Sequence, residues 1–119
     1  MLIAGDPEFS DILIKGREGA HMTPNERFRL SIFYENVLRQ WQVVHFQYLS
    51  AALDEDIWIG QRNYFALVFS QDRGIREHWR ANQGHFSPSF NTMVKGILSR
   101  AEAMRTDGRA VGVGTLRYG

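Results

Sequence analysis

TPNERFRLSIFYENVLRQWQVVHFQYLSAALDEDIW, residues 23–58, decides how this chain is read. It carries seven of the chain's fifteen aromatic residues, Phe28, Phe33, Tyr34, Trp41, Phe46, Tyr48 and Trp58, and so poses a choice between an aromatic binding site and the core of a small helical protein. Its opening residues mark a helix start. The Thr23 hydroxyl can cap an open backbone amide, Pro24 gives up no intrahelical hydrogen bond, and Glu26 can reciprocate as the other half of a capping box. From there Leu30, Phe33 or Tyr34, Val37, Trp41, Val44, Tyr48 and Ala51 advance by three or four residues, which is helix spacing held for about seven turns. Ile32, Leu38, His45 and Leu49 form a second stripe. A helix with so wide an apolar surface must be covered on more than one side, by the rest of the chain or by a second copy, and the aromatic density reads as core.

Outward from this helix the pattern stays helical. Asp6 and Pro7 suit an N-cap and first turn, and Phe9, Ile12 and Leu13 put an apolar stripe on a short helix expected to end before Gly16. GAHM, residues 19–22, reads as loop. Asp54 is placed to cap a third helix, with Glu55 and Asp56 at the positive end of its dipole and Ile57, Trp58, Tyr64, Phe65, Val68 and Phe69 as its apolar surface. IREHWRAN, with Ile75 and Trp79 four apart, predicts a short helix before Gly84. Ser87 and Pro88 start the last one, which carries Phe90, Met93, Val94, Ile97 and Leu98 and fades near Glu102. MRTDGRAVGVGTLRYG, residues 104–119, holds four glycines and no helical stripe, so it reads as a flexible tail or an exchanged arm, with residues 110–118 a strand candidate. The expectation is an all-α bundle of four or five helices with one long central helix over residues 1–103, followed by the glycine-containing tail.

Bulk properties bound the function. The chain has 119 residues, 44% hydrophobic and 23% charged, enough for one domain with its own core. It has no cysteine, which removes disulfides, thiolate nucleophiles and cysteine metal sites and leaves the redox compartment open. Net charge is +1 but uneven: residues 1–71 carry six basic and nine acidic side chains, residues 72–119 eight and four. No apolar run approaches the ~20 residues that span a bilayer, and MLIAGDPEF lacks the basic start of a signal peptide. The compartment is therefore left open, with the cytoplasm expected and attachment to a membrane through a partner as the alternative.

Chemistry has few footholds. His21, His45, His78 and His85 make no HExxH or HxxxH pair, and the chain does not supply the two Glu-x-x-His motifs on facing helices that di-metal bundle chemistry needs. The polar set Glu35, Asn36, Arg39 and Gln40 reads as a solvated face or a buried network that specifies packing, with Glu35 and Arg39 an i, i+4 pair. His45, among apolar neighbours, needs a partner from another helix, and a small enzyme would require Glu35 and His45 to meet in an accessible cavity. His78 and His85 flank WRANQG and could converge on an anion or metal with Arg76 and Arg80, although no carboxylate pattern lies near them in the sequence. No serine sits in a nucleophile elbow, and GVGTL lacks the lysine and helix of a phosphate loop. No metal site or cofactor is expected. Arg73, Arg76, Arg80, Lys95 and Arg100, with Arg105, Arg109 and Arg117 beyond them, could form a basic strip for nucleic acid, interrupted by Glu77, Glu102 and Asp107.

The spacing of DPEF, TPNERFRL, ENVLRQWQVVHFQYLSAALDEDIW and HFSPSF resembles an uncharacterised bacterial family of small helical domains, often found behind a single N-terminal membrane-spanning helix. The resemblance covers residues 6–98 and rests on Glu26, Arg27, Phe28, Glu35, Asn36, Trp41, Phe46, Gln47, Tyr48, Trp58, Phe86, Ser87 and Phe90. It implies recurrent structural positions and no known chemistry, and it places the start of this chain at or after the end of such a membrane helix. The expected role is a noncatalytic interaction or scaffold domain that self-associates into a homo-oligomer or meets another protein. Nucleic-acid binding and a small enzyme at Glu35 and His45 are the competing readings.

Overall fold

The computed structural model describes the backbone of residues 7–111, with side chains to residue 100 and at residues 102 and 103. Five helices make up the fold: α1 (Pro7–Glu18), α2 (Pro24–Leu49), α3 (Glu55–Gln71), α4 (Arg73–Ala81) and α5 (Pro88–Val111), with one 3₁₀ turn at Gln83–His85. Among the described residues there is no strand, and no helix is long and apolar enough to cross a membrane. The domain is all-α, as the periodicity predicts.

The helix boundaries follow local chemistry. Thr23 and Glu26 form the expected capping box, Glu26 N–H donating to the Thr23 hydroxyl at 3.1 Å and Thr23 N–H to the Glu26 carboxylate at 3.0 Å. Lys15 adds an ion pair to Glu26 at 2.9 Å and so ties the end of α1 to the start of α2. α1 does not stop before Gly16. It runs on to Glu18 and closes in a Schellman turn at Gly19, where Ala20 N–H donates to the Lys15 carbonyl, Gly19 N–H donates to the Gly16 carbonyl, and φ is +71°. The same turn ends α2 with Ala51 at φ 62°, a left-handed residue beyond the helix rather than part of its apolar stripe. Asp54 occupies the N-cap position of α3 without a side-chain cap bond, whereas Ser87 caps α5 through Phe90 N–H at 3.2 Å. α5 continues nine residues past Glu102, so residues 104–111 are helical, and the strand candidate at 110–118 falls, apart from its first two residues, outside the described residues.

The aromatic density of residues 23–58 is largely core. Leu30, Tyr34, Leu38 and His45 are buried along the inner face of α2, with Phe33, Val37, Trp41, Val44 and Tyr48 packed beside them. Trp41 stacks on Phe65 at 4.2 Å and meets Phe69 edge-on at 5.6 Å, and Tyr48 stacks on Trp58 at 4.9 Å. α3 lends Trp58, Phe65, Ala66 and Phe69 to this core and makes the most extensive helix contact of the fold with α5, through Phe90, Val94 and Ile97. Arg62 shares the stripe of Trp58 and Phe65, and its buried Nε has no hydrogen-bond partner.

A second centre lies where α1, α2 and α4 converge. The Tyr34 hydroxyl donates to the buried Asp72 carboxylate at 2.8 Å, and the same oxygen accepts from Ile75 N–H at 3.3 Å, which caps α4. Burial and then the Asp72 charge push the Tyr34 hydroxyl well above its ordinary pKa, so it remains a donor. The approach is close because two glycines line it: a Cβ on Gly74 would sit 2.5 Å from the Tyr34 oxygen and 3.0 Å from the Gly16 carbonyl, and one on Gly16 would sit 2.3 Å from Leu30. Gly74→Ala should therefore cost about 1–3 kcal/mol through overpacking. Gly60→Ala, in α3 with open space around it, should gain about 0.5–1 kcal/mol. Chemical denaturation of the two variants checks this, and equal effects would contradict the close-approach account.

Candidate functional site

Glu35 follows Tyr34 on α2, so the Tyr34–Asp72 bond fixes its height against α4. Its carboxylate gathers three partners from three parts of the chain. Oε1 accepts from His78 Nε2 of α4 at 2.8 Å, and Oε2 accepts from His85 Nδ1 of the 3₁₀ turn at 3.1 Å and from Arg39 Nε at 3.0 Å. Burial works to raise the Glu35 pKa, but the bonds from His78 and His85 and the charge of Arg39 outweigh it and hold the carboxyl below its ordinary value. An ionised carboxylate only accepts, so each facing histidine nitrogen carries its proton. The His78 nitrogen facing Glu35 is therefore Nε2–H, and its Nδ1 lies 3.5 Å from the Asn82 amide.

The segment around His85 is held to α2 at three successive turns. His85 bonds Glu35, the Arg39 guanidinium lies over the Phe86 ring at 5.9 Å, and Ser87 N–H donates to Gln42 Oε1 at 2.7 Å. Trp79 Nε1 donates to Asn91, whose amide donates on to the Gln83 carbonyl, so α4 and α5 clamp the same turn. Open grooves flank it. One of about 380 Å³ is lined by Ile32, Glu35, Asn36, His78 and Asn82, and another of about 400 Å³ by Gln42, Val43, Phe46, Leu49 and Ser87, with His85 on the rim of both.

The expected polar set is therefore only partly together. Glu35 and Arg39 bond at 3.0 Å, and Asn36 lies beside them on the exposed face. His45 lines the second groove together with His85 but does not join the cluster: it is buried against Trp58 at 5.3 Å and Phe90 at 6.2 Å, burial lowers its pKa, and no hydrogen bond joins it to Glu35. The histidines that do meet Glu35 are His78 and His85, 43 and 50 residues away. Among the described residues no group of three or more His, Cys, Asp or Glu side chains is arranged to hold a metal ion. Of the basic residues, Arg73 is paired with Glu77 at 2.7 Å and Arg76 donates to the Phe69 carbonyl, while Arg80, Lys95 and Arg100 are exposed. The Arg105 and Arg109 side chains and all of Arg117 lie outside the described residues.

Sequence reasoning called for cover on more than one side of α2 but did not identify which residues its outer face leaves exposed. Ile32 and Leu49, read as part of a covered surface, are 47% and 55% exposed, and they are joined by Phe28 at 63%, Val43 at 54% and Phe46 at 66%. Phe28, Ile32, Val43 and Phe46 fall within about 60° of arc at 100° per residue, one aligned face with Glu35 and Arg39 at its middle rather than scattered exposure. The signal was present in the spacing of these residues and was hidden by the stronger inner stripe. Comparison with known protein families, curated proteins and solved structures finds no match for the chain.

Both depressed pKa values favour the fold at neutral pH and lose their effect in acid. The His45 contribution is full above its ordinary value of 6.5 and declines as pH falls through the lower folded value; that of Glu35 is full above 4.5 and declines below it. His45→Leu should flatten the part of the melting-temperature profile that falls below pH 6.5. Glu35→Gln should lower stability at pH 7 by about 1–2 kcal/mol and flatten the part below pH 4.5. Thermal melts from pH 8 to pH 3.5 check both, and variant profiles parallel to the parent would contradict the assignments.

Proposed function

We infer that the chain is a noncatalytic helical interaction domain that associates with copies of itself through the outer face of α2. The observation that carries this reading is the aligned set of Phe28, Ile32, Val43 and Phe46, two apolar pairs on either side of the polar Glu35 and Arg39, each about half or more exposed on a helix whose other side is used by the core. Large apolar side chains exposed singly need no explanation, but four aligned on one rigid helix cost free energy that an interface recovers.

The polar cluster supports the same reading. Glu35, Arg39 and Gln42 hold the segment 83–87 in place, which gives the stripe a rigid flank, and the Glu35 carboxylate is committed to three donors. Nucleic acid is a weaker fit, because Arg73 and Arg76 are engaged within the chain. Resemblance to helical domains that follow a membrane anchor agrees with a scaffold role, in which association of such domains would bring their anchors together.

Light scattering coupled to size exclusion, across a concentration series, tests the reading. The expected result is a mass that rises to that of a dimer, and for Phe46→Asp a monomer with unchanged helical circular dichroism. A parent chain that stays monomeric at every concentration would overturn it.

A further inference from the structure

The outer face of α2 is complementary to itself in one direction. We propose that two copies pack α2 against α2 antiparallel, about a two-fold axis near residue 37, an arrangement that rests on the self-association inferred above. In a two-fold interface, residue i of one copy meets residue j of the other and j meets i, so the positions must pair around a common centre. On α2 they do. With the axis near residue 37, Phe28 opposes the other copy's Phe46, Ile32 opposes Val43, and Glu35 opposes Arg39, each pair occurring twice. All four exposed apolar side chains of the stripe then face apolar partners.

Charge decides the direction. In a parallel pair the apolar residues also match, each against itself, but Arg39 meets Arg39 and Glu35 meets Glu35. In the antiparallel pair the Arg39–Glu35 ion pair that each copy makes within itself lies beside that of the other copy in the opposite direction, so each exposed Arg39 is level with the other copy's Glu35 while that carboxylate keeps its own His78, His85 and Arg39. The antiparallel orientation also sets the helix dipoles in opposition. The groove beside Val43, Phe46 and Leu49 lies level with Phe28 and Ile32 of the other copy and offers them those three apolar side chains, with His85 and Ser87 on its polar side. The site is incomplete in one copy: the stripe supplies the side chains, and the second copy supplies the groove they enter.

The chain has no cysteine, so introduced thiols report without background. Ile32→Cys and Val43→Cys chains are prepared reduced, then oxidised separately and as a mixture, and the covalent dimers are resolved on a denaturing gel. The expected result is a disulfide dimer in the mixture that is lost in either chain alone. Covalent dimer in each single-variant sample, with none specific to the mixture, points to parallel packing and overturns the proposal while leaving self-association intact. Absence of covalent dimer in all three samples overturns it too, and the mass of the cysteine-free parent then separates the two failures: a dimer shows that another surface is used, and a monomer removes the self-association reading as well. Arg39→Glu gives a second readout. It should weaken association of the parent sequence by placing four carboxylates at the centre, and unchanged association would contradict the proposed charge pairing.

Discussion

The hydrogen bond from Tyr34 to Asp72 is the constraint on which the rest of the structure depends. It brings the middle of α2 to the junction of α3 and α4, and the same carboxylate caps α4, so one buried pair sets the position of three helices. Gly16 and Gly74 permit it by leaving no side chain between the tyrosine ring and the backbones of α1 and α4. Once Tyr34 is fixed, Glu35 is turned toward α4 and the 3₁₀ turn, where His78 and His85 meet it. Leu38, Trp41 and His45 follow on the inner side, against Phe65, Phe69 and Phe90.

A single long helix thus serves as the spine of the domain, and a chain of this size covers only part of it. The inner face is committed to α3, α4 and α5, and one flank is bound to residues 83–87 by Glu35, Arg39 and Gln42. What remains is a narrow apolar stripe with a polar centre on a rigid support. Preorganised surfaces of this kind lose little conformational entropy on association, because the helix is already ordered by its own core.

Much of the fold was legible in the sequence because helix starts and apolar periodicity are local. The capping box at Thr23, the Ile75–Trp79 pair and the Ser87–Pro88 start of α5 all appear where spacing puts them. Gly16 misled because a glycine in a helix reads as a stop, whereas here it is a contact surface for Leu30 and Tyr34, a fact set by a neighbour in space. The candidate site was legible only in its parts. Glu35 and Arg39 are one turn apart and could be paired on sight, but the convergence of His78 and His85 on Glu35 depends on how α4 crosses α2, which no local pattern encodes. His45 attracted attention as a lone imidazole in an apolar stripe, and packing between aromatic rings accounts for it. The need for cover on more than one side of α2 was readable from the width of its apolar surface; which residues stay uncovered required the packing of the other four helices.

The central claim is that the outer stripe of α2 is held for a second copy, so that folding and association are linked. The most direct test is the unfolding midpoint of the unmodified chain, followed by heat or denaturant over about a hundredfold range of protein concentration. If the stripe is an interface, mass action stabilises the folded dimer by on the order of 2–3 kcal/mol across that range, and the midpoint rises steadily with concentration. A midpoint that does not move would contradict the account and return the stripe to the status of solvent-exposed surface.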